Sequence, residues 1–409
     1  KDDVQNINSN IFKKIDCVVD LVAIANDVTG DYFKNQTIKT NYLSRVRTAR
    51  LAKKNGVKQY ILPSSASVYG FKPDNILVSE NTKPTPLTHY SINNLNAEKK
   101  ILEFKPDIVY VHNTWFTASL EVFKILKKYN MNTIIKLHNF RYVCTKSYLA
   151  KAHTNNEETC LACGFSKTEN FFNKYYKDSF LKSLLVIRYG KKYFKVLQDP
   201  FFKIAVLTTF HKKYLEEIGF KNNIYVFPNY LEPLESVKSH SKKDYIVYAG
   251  RISSEKGLEE LIDAFKKSAL DNLNLKIIGE GPLSKQLNLS KNIKFLGRLP
   301  NKEVLKIVAN ARAVVTCTKL YEGQPNFLCE ASMLGIPSIF PRTGGIEEFF
   351  PNDYRLSFEQ FNYEDLKEKL ILVNDKNYAL KIGNENKNYL QNLINKKVLV
   401  EKFETMVKL

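Results

Sequence analysis

The chain has no apolar run near the ~20 residues a helix needs to cross a bilayer, so a membrane-spanning helix is excluded. The apolar stretch from Cys17 to Ala25 is broken by Asp20, which excludes a signal peptide there. Cysteine is scarce, six in 409 residues, and most sit inside apolar strand or helix patterns. That usage fits a reducing compartment; the expected location is the cytoplasm, with peripheral attachment to the inner face of the plasma membrane as its extension. No zinc finger, RNP box or basic helical arm occurs, so a nucleic-acid partner is not expected. There is no internal repeat and no low-complexity tract. The chain opens at Lys1 rather than at Met, and residues are expected to have preceded it.

Acidic residues are the short side of the charge balance, 42 against 62 Lys and Arg, for a formal net charge of +20. That excess has two readings: attraction to an anionic membrane or to phosphorylated ligands, or a Lys- and Asn-rich bias spread over solvated faces. With 44% hydrophobic residues in 409, the chain can bury more than one core, and two domains are expected.

Short β-rich runs at 16–24 and 57–63 are separated by a helical stretch from Tyr42 to Asn55. Strand patterns follow at 107–112, 133–138, 204–209 and 224–228, with a helix near 117–129. Residues 231–243 read as a polar linker. Beyond it come strands at 245–249, 274–278, 293–296, 313–318 and 337–340, with helices at 256–267, 301–309 and 325–334, and helices to the end. This alternation is the pattern of parallel sheets covered by helices. Residues 140–200 break the rhythm; they are aromatic, basic and carry Cys144, Cys160 and Cys163.

The most informative region is 313–345, AVVTCTKLYEGQPNFLCEASMLGIPSIFPRTGG. A strand ends near Thr318, a loop holds Glu322 and Gly323, and Pro325 is expected at the first helical position. Gly335 and Pro337 stop the helix. The amides of that helix start point out from the carboxyl end of the sheet, where α/β folds bind phosphates. Glu330 falls in the second turn, as a ribose-hydroxyl acceptor or as a capping group. Earlier, AGRISSEKG places Gly250 at a strand end, Arg251 just after it and Lys256 at the next helix start. Two such cations can neutralise a diphosphate without a metal; alone they also suit a solvated basic loop.

GRISSEKG, IIGEGPL, FLGRLP and the pair Glu322…Glu330, in that order, closely resemble the GT-B retaining glycosyltransferases of the family-4 type over roughly 105–409. The resemblance implies that Arg251 and Lys256 grip the diphosphate of a nucleotide sugar. Glu330 would take the ribose hydroxyls and Glu322 would face the donor sugar. Main chain at Arg298 and Leu299 would meet the nucleobase, and residues 323–327, with Gly323, Gln324, Asn326 and Phe327, the sugar and phosphate. No Asp-x-Asp-like cluster stands beside that site, so no metal is expected.

PDIVYVHNTW and TIIKLHNFRYVC extend the resemblance. His112 and His138 end adjacent strands and should point at the interdomain cleft, or merely cap those strands. His138 would lie near the donor sugar, with His112 and Asn113 on the acceptor side. Asn229, in YVFPNY, resembles the family's hinge-side Pro-Asn. Cys144, Cys160 and Cys163 form C…C-x2-C, a hint of zinc. The fourth Cys of related sequences is here Tyr175, with His153 the nearby substitute. The other reading is an aromatic acceptor loop, with Phe171, Phe172, Tyr175 and Tyr176 against a lipid-linked acceptor.

DCVVDLVA, PSSASVYG and HYSIN resemble an extended short-chain reductase or epimerase of nucleotide sugars. Ser65 and Tyr90 match its catalytic Ser and Tyr. The Lys expected four positions after the Tyr is Asn94, and neither a Gly-rich dinucleotide turn nor the substrate domain is present in the sequence. NAD binding is therefore not expected, and the helix from Tyr90 to Phe104 is the seam between two kinds of enzyme.

The expected fold is α/β: two Rossmann-like domains facing a cleft, in the GT-B arrangement, the first a hybrid with the short-chain-reductase-like fragment. The expected divisions are 1–104, 105–235, 236–395 and a C-terminal helix at 396–409. Strands 16–24 and 57–63 should join strand 107–112 in one hybrid sheet, covering a costly exposed edge. The expected function is retaining transfer of a sugar from a nucleotide-diphosphate sugar to a glycan or lipid-linked acceptor, in cell-surface polysaccharide synthesis. The alternatives are a degenerate nucleotide-sugar epimerase or a silent fusion that only binds nucleotide.

Overall fold

The computed structural model describes residues 3–13, 15–24, 27–57, 59–62, 66–69, 84–102, 108–112, 120–140, 142, 180–232 and 244–407. The first elements are β1 (Cys17–Val19), a π-helical turn Ile38–Ser44 running into α1 (Arg45–Lys54), β2 (Gln59–Ile61) and α2 (His89–Leu102). Next come β3 (Val109–His112), α3 (Glu121–Lys128), β4 (Thr133–Lys136), α4 (Phe180–Leu197), β5 (Lys203–Val206), α5 (Thr209–Glu217) and β6 (Ile224–Val226). The second half holds β7 (Tyr245–Ala249), α6 (Leu258–Lys267), β8 (Asn274–Ile278), β9 (Ile293–Phe295), α7 (Asn301–Ala309) and β10 (Ala313–Val315). It continues with α8 (Asn326–Met333), β11 (Ser338–Arg342), β12 (Ser357–Glu359), α9 (Tyr363–Leu372), α10 (Lys376–Leu393) and α11 (Lys396–Val407).

The described strands form three parallel sheets, β1-β2, β3-β4-β5-β6 and β12-β11-β10-β7-β8-β9. β-branched runs covered on both faces explain the parallel pairing. Val111, Ile135, Ile204 and Ile224 stand in one row across the four-stranded sheet. In the six-stranded sheet, α6 buries Leu258, Leu261, Ile262 and Phe265 against one face, while Leu328, Cys329 and Ala331 of α8 lie in the apolar cluster on the other. α11 returns to the first half: Met406 and Val407 join Ile108, Tyr110, Ile134 and Ala205 in one cluster.

Three expectations change. The single hybrid sheet is not formed: among the described residues no ladder bond joins β1 or β2 to β3. Ile61 and Cys17 instead pack into the α11 cluster, so apolar contact does the joining without strand pairing. β1 stops at Val19 because Asp20 turns the chain, its Oδ1 accepting from the Val22 amide at 3.3 Å and its Oδ2 from the Tyr60 hydroxyl at 2.6 Å. Pro325 is the N-cap of α8, with extended φ and ψ, not its first helical residue. The strand β12 was not anticipated; its three residues carry too little pattern, and pairing with β11 forms it. Cys144, Cys160, Cys163, His153, Phe171, Phe172, Tyr175 and Tyr176 lie outside the described residues, as do Ser65 and Asn113.

Candidate functional site

Three glycine-bearing turns meet at the carboxyl ends of β7, β8 and β9. Gly250 N donates to Ile278 O at 3.0 Å, Ile252 N to Glu280 O at 2.9 Å, and Gly279 N to Gly297 O at 2.8 Å. Gly279 has φ +139, and a Cβ there would sit 1.9 Å from Gly250 O. Only glycine lets these turns close so tightly. They frame a pocket of about 490 Å³ whose walls include Gly250, Arg251, Glu280, Arg298, Leu299 and Val304. Arg298 and Leu299, the residues expected to meet a nucleobase, line this pocket. Arg298 pairs with Glu280 at 2.8 Å on the exposed rim.

The cations and carboxylates lie alongside. Arg251 is mostly exposed and 3.9 Å from the buried Glu255 carboxylate, which also accepts from Ser253 Oγ at 2.6 Å. Gly257, at φ +65, lets the turn carrying Lys256 approach the end of β10; a Cβ there would be 2.0 Å from Cys317 O. Lys256 Nζ donates to Glu322 Oε1, which also accepts from Thr318 Oγ1 at 3.2 Å. The Pro325 cap starts α8 beside them, and the first-turn amides of a helix have no intrahelical partner. Glu330, half-buried on α8, accepts from Asn301 Nδ2 at 3.5 Å. Burial raises its pKa, and the Asn301 bond partly offsets that.

Gln324 has another duty. Its side-chain oxygen accepts from Asn229 N at 2.5 Å and its Nε2 donates to Asn229 O at 2.9 Å. The amide thus pins the Pro-Asn segment after β6 to the loop before α8. Gly323 faces Leu207, with a Cβ position 3.3 Å from Leu207 Cδ1.

On the first domain, His112 Nδ1 and His138 Nε2 are 3.0 Å apart, with rings stacked at 5.3 Å between centroids. Burial, then mutual and Lys136 repulsion, lowers His112 to about 4; burial and Lys136 do the same for His138. The pair is neutral at pH 7. Sequence reasoning passed over Lys136. It is buried and lowered by that burial to about 8; it donates to Asn229 Oδ1 at 2.8 Å and lies 4.7 Å over the Phe227 ring. A lysine inside the apolar run TIIKL was the available signal. His211 was missed too: it is buried, its Nε2 2.5 Å from the Tyr142 hydroxyl, and burial lowers it to about 3.

In the first fragment, Asn94 is buried and accepts from Arg45 Nη1 at 2.9 Å. Arg45 is buried too, and its Nε donates to Val22 O at 3.2 Å. Tyr90 backs onto Gly30, where a Cβ would come within 2.7 Å of Tyr90 Cβ. The position that would carry a reductase's lysine is thus an amide tied to a structural arginine.

Two families match parts of the chain. Residues 232–389 match the family described as glycosyl transferases group 1, and residues 3–111 match the NAD dependent epimerase/dehydratase family. The chain thus has a region similar to glycosyl transferases, preceded by one similar to the epimerases. It is 26% identical over 170 residues to the capsular polysaccharide biosynthesis glycosyltransferase CapM of Staphylococcus aureus, covering 39% of this chain and 45% of that one. It is 24% identical over 215 residues to the amylovoran biosynthesis glycosyltransferase AmsD of Erwinia amylovora, covering 48% and 60%. The chain thus spans about half the length of the curated relatives it matches. Among solved structures, a mutant of S. aureus TarM in complex with fondaparinux, alpha-GlcNAc-glycerol and UDP superposes with a TM-score of 0.55 at 17% identity. That match covers 80% of this chain and 60% of that one, and is a likeness of fold.

Proposed function

We propose that this chain transfers a sugar from a nucleotide-diphosphate sugar to a glycan or lipid-linked acceptor, with retention, in polysaccharide biosynthesis. The observation that carries it is the arrangement after the strand ends: glycine turns frame a 490 Å³ pocket that Arg251 lines, and Lys256, five residues on, bonds Glu322 in the loop before α8. A nucleoside would fill the pocket, with Glu330 accepting from its ribose. Arg251, Lys256 and the α8 amides would hold the diphosphate. The group 1 match over this domain supports the reading, as do the polysaccharide-synthesis relatives.

In the reaction, the bond from the anomeric carbon to the diphosphate oxygen breaks and its electron pair leaves with the diphosphate. Preplaced cations and helix amides stabilise that growing negative charge. An acceptor hydroxyl oxygen bonds the anomeric carbon on the same face, and its proton passes to the departing phosphate oxygen. The sugar is cationic in between, and the Glu322 carboxylate beside Lys256 offsets that charge. The neutral pair His112 and His138 lies on the other domain's side, His138 toward the donor sugar and His112 toward the acceptor. The net charge of +20 supports a peripheral seat on an anionic membrane, where a lipid-linked acceptor would lie.

A screen of UDP-, GDP-, ADP- and dTDP-sugars, read as nucleotide released by the purified chain, tests the proposal. Release from one donor, raised by an acceptor glycan or lipid, is the expected result. Binding of nucleotide without release from any donor would leave a nucleotide-binding fusion instead.

A further inference from the structure

We propose that Glu348 is a positioning residue for this site: it locks the first domain onto the loop that holds Glu322, so that domain docking places that carboxylate. The proposal rests on the glycosyl-transfer reading above.

Glu348 lies in the 3-10 turn Ile346–Phe349 of the second domain. Its Oε2 accepts from Thr209 N and its Oε1 from Phe210 N, each at 2.6 Å. Both amides belong to the first turn of α5 in the first domain. The N-cap Thr208 accepts from the next amide, His211 N, at 3.2 Å. Three first-turn donors of α5 are thereby filled, two of them by a carboxylate from the other domain. Charge-assisted bonds are the stronger kind, and a helix N-terminus favours negative charge.

A cap alone would be a matter of stability. The path from that cap to Glu322 makes it more. Gly345, three residues before Glu348, meets the same helix start: a Cβ there would lie 2.5 Å from the Thr208 side chain. Its amide donates to Glu322 O at 2.9 Å. The adjacent Gly344 has φ +60, and a Cβ there would be 2.3 Å from that same oxygen. Contact therefore runs from the short Thr208 side chain through the backbone of the two glycines to that of Glu322. On its other flank, Gly323 touches Leu207. None of these residues lines the nucleotide pocket. Loss of the lock should move Glu322 and spare nucleotide binding.

The test uses the full chain with Glu348→Gln, which keeps shape and loses charge, Glu348→Ala, and Glu348→Asp as the conservative variant. Turnover of the donor accepted by the wild type, UDP affinity by calorimetry and radius of gyration by small-angle scattering are measured on each. The expected result for Gln and Ala is a kcat lowered roughly tenfold or more, the signature of an interaction used in the transition state. UDP affinity should change less than about twofold on the same basis. The radius of gyration should rise, with Asp intermediate in every readout. Unchanged kcat, or UDP affinity and kcat lost together with the melting temperature, would overturn the positioning role. Should the wild type bind UDP and turn over no donor, the transfer reading fails by itself; an unchanged radius of gyration in Glu348→Ala would then overturn the lock.

Discussion

The ammonium of Lys256 is bonded to the carboxylate of Glu322, joining two motifs 66 residues apart in the chain. Both side chains are about a quarter exposed, at 24% and 28%. A diphosphate bound as proposed would compete with Glu322 for the lysine. On the proposed reading, the pair would link the grip on the leaving group to the carboxylate facing the sugar.

Lys256→Ala should weaken nucleotide-diphosphate binding by about 1.5–3 kcal/mol, the scale of a charge-assisted hydrogen bond. Calorimetry with UDP on the folded variant is the check. Unchanged affinity would remove Lys256 from the diphosphate site.

Glu322→Gln releases that lysine, so it should lower kcat without weakening nucleotide affinity. Glu330→Gln acts on the ribose and should raise the donor KM with less effect on kcat. Steady-state kinetics of the two variants side by side tell these apart. Identical defects would mean that the two carboxylates act as one structural unit.

Transfer should survive EDTA, because Arg251, Lys256 and the start of α8 supply the positive field that the diphosphate needs. Released nucleotide is measured with and without the chelator. Loss of activity with recovery on Mg²⁺ or Mn²⁺ would mean that this electrostatic assignment is wrong.

His211 makes stability depend on pH. Burial lowers its pKa from 6.5 to about 3. Between those values the unfolded chain binds a proton that the folded one does not, so this contribution to stability is whole above pH 6.5 and shrinks as pH falls. From pH 7.5 to pH 5 the loss from this group should be about 2 kcal/mol, at 1.36 kcal/mol per pH unit below the unfolded pKa. Urea melts at the two pH values read it, and His211→Gln should reduce the difference by about that amount, leaving the part due to His112 and His138. An equal slope in the variant would place the titration elsewhere.

NADH should not bind. Asn94, where the lysine would stand, is held by Arg45 at 2.9 Å. NADH fluorescence with the whole chain decides it, and a tight saturable signal would overturn this account of the first hundred residues.

Much of the fold could be read directly. The strands β7, β8 and β10 announce themselves as β-branched runs followed by glycine turns or a helix start, and both signals are local. The glycine turns around the pocket were legible for the same reason, since backbones that approach this closely need glycine at set places. Lys136 and His211 were hidden because a lone polar residue in an apolar run carries no sign of its partner. β12 was hidden because three residues become a strand only when β11 offers an edge.

By itself the sequence determined the alternation of strands and helices, the order of the four motifs and the break in kind near the Tyr90 helix. Each of these depends on residue types a few positions apart. Only the tertiary structure decided which side chains meet. Lys136 reaches Asn229 across 93 residues, Gln324 binds Asn229 across 95, and Glu348 caps Thr209 across 139. It also decided that the reductase-like strands pack against the cluster around α11 without joining the main sheet. Such contacts depend on how sheets and helices stack, and a hydrogen bond needs its partners placed to within a fraction of an ångström. Periodicity and composition carry no information at that scale.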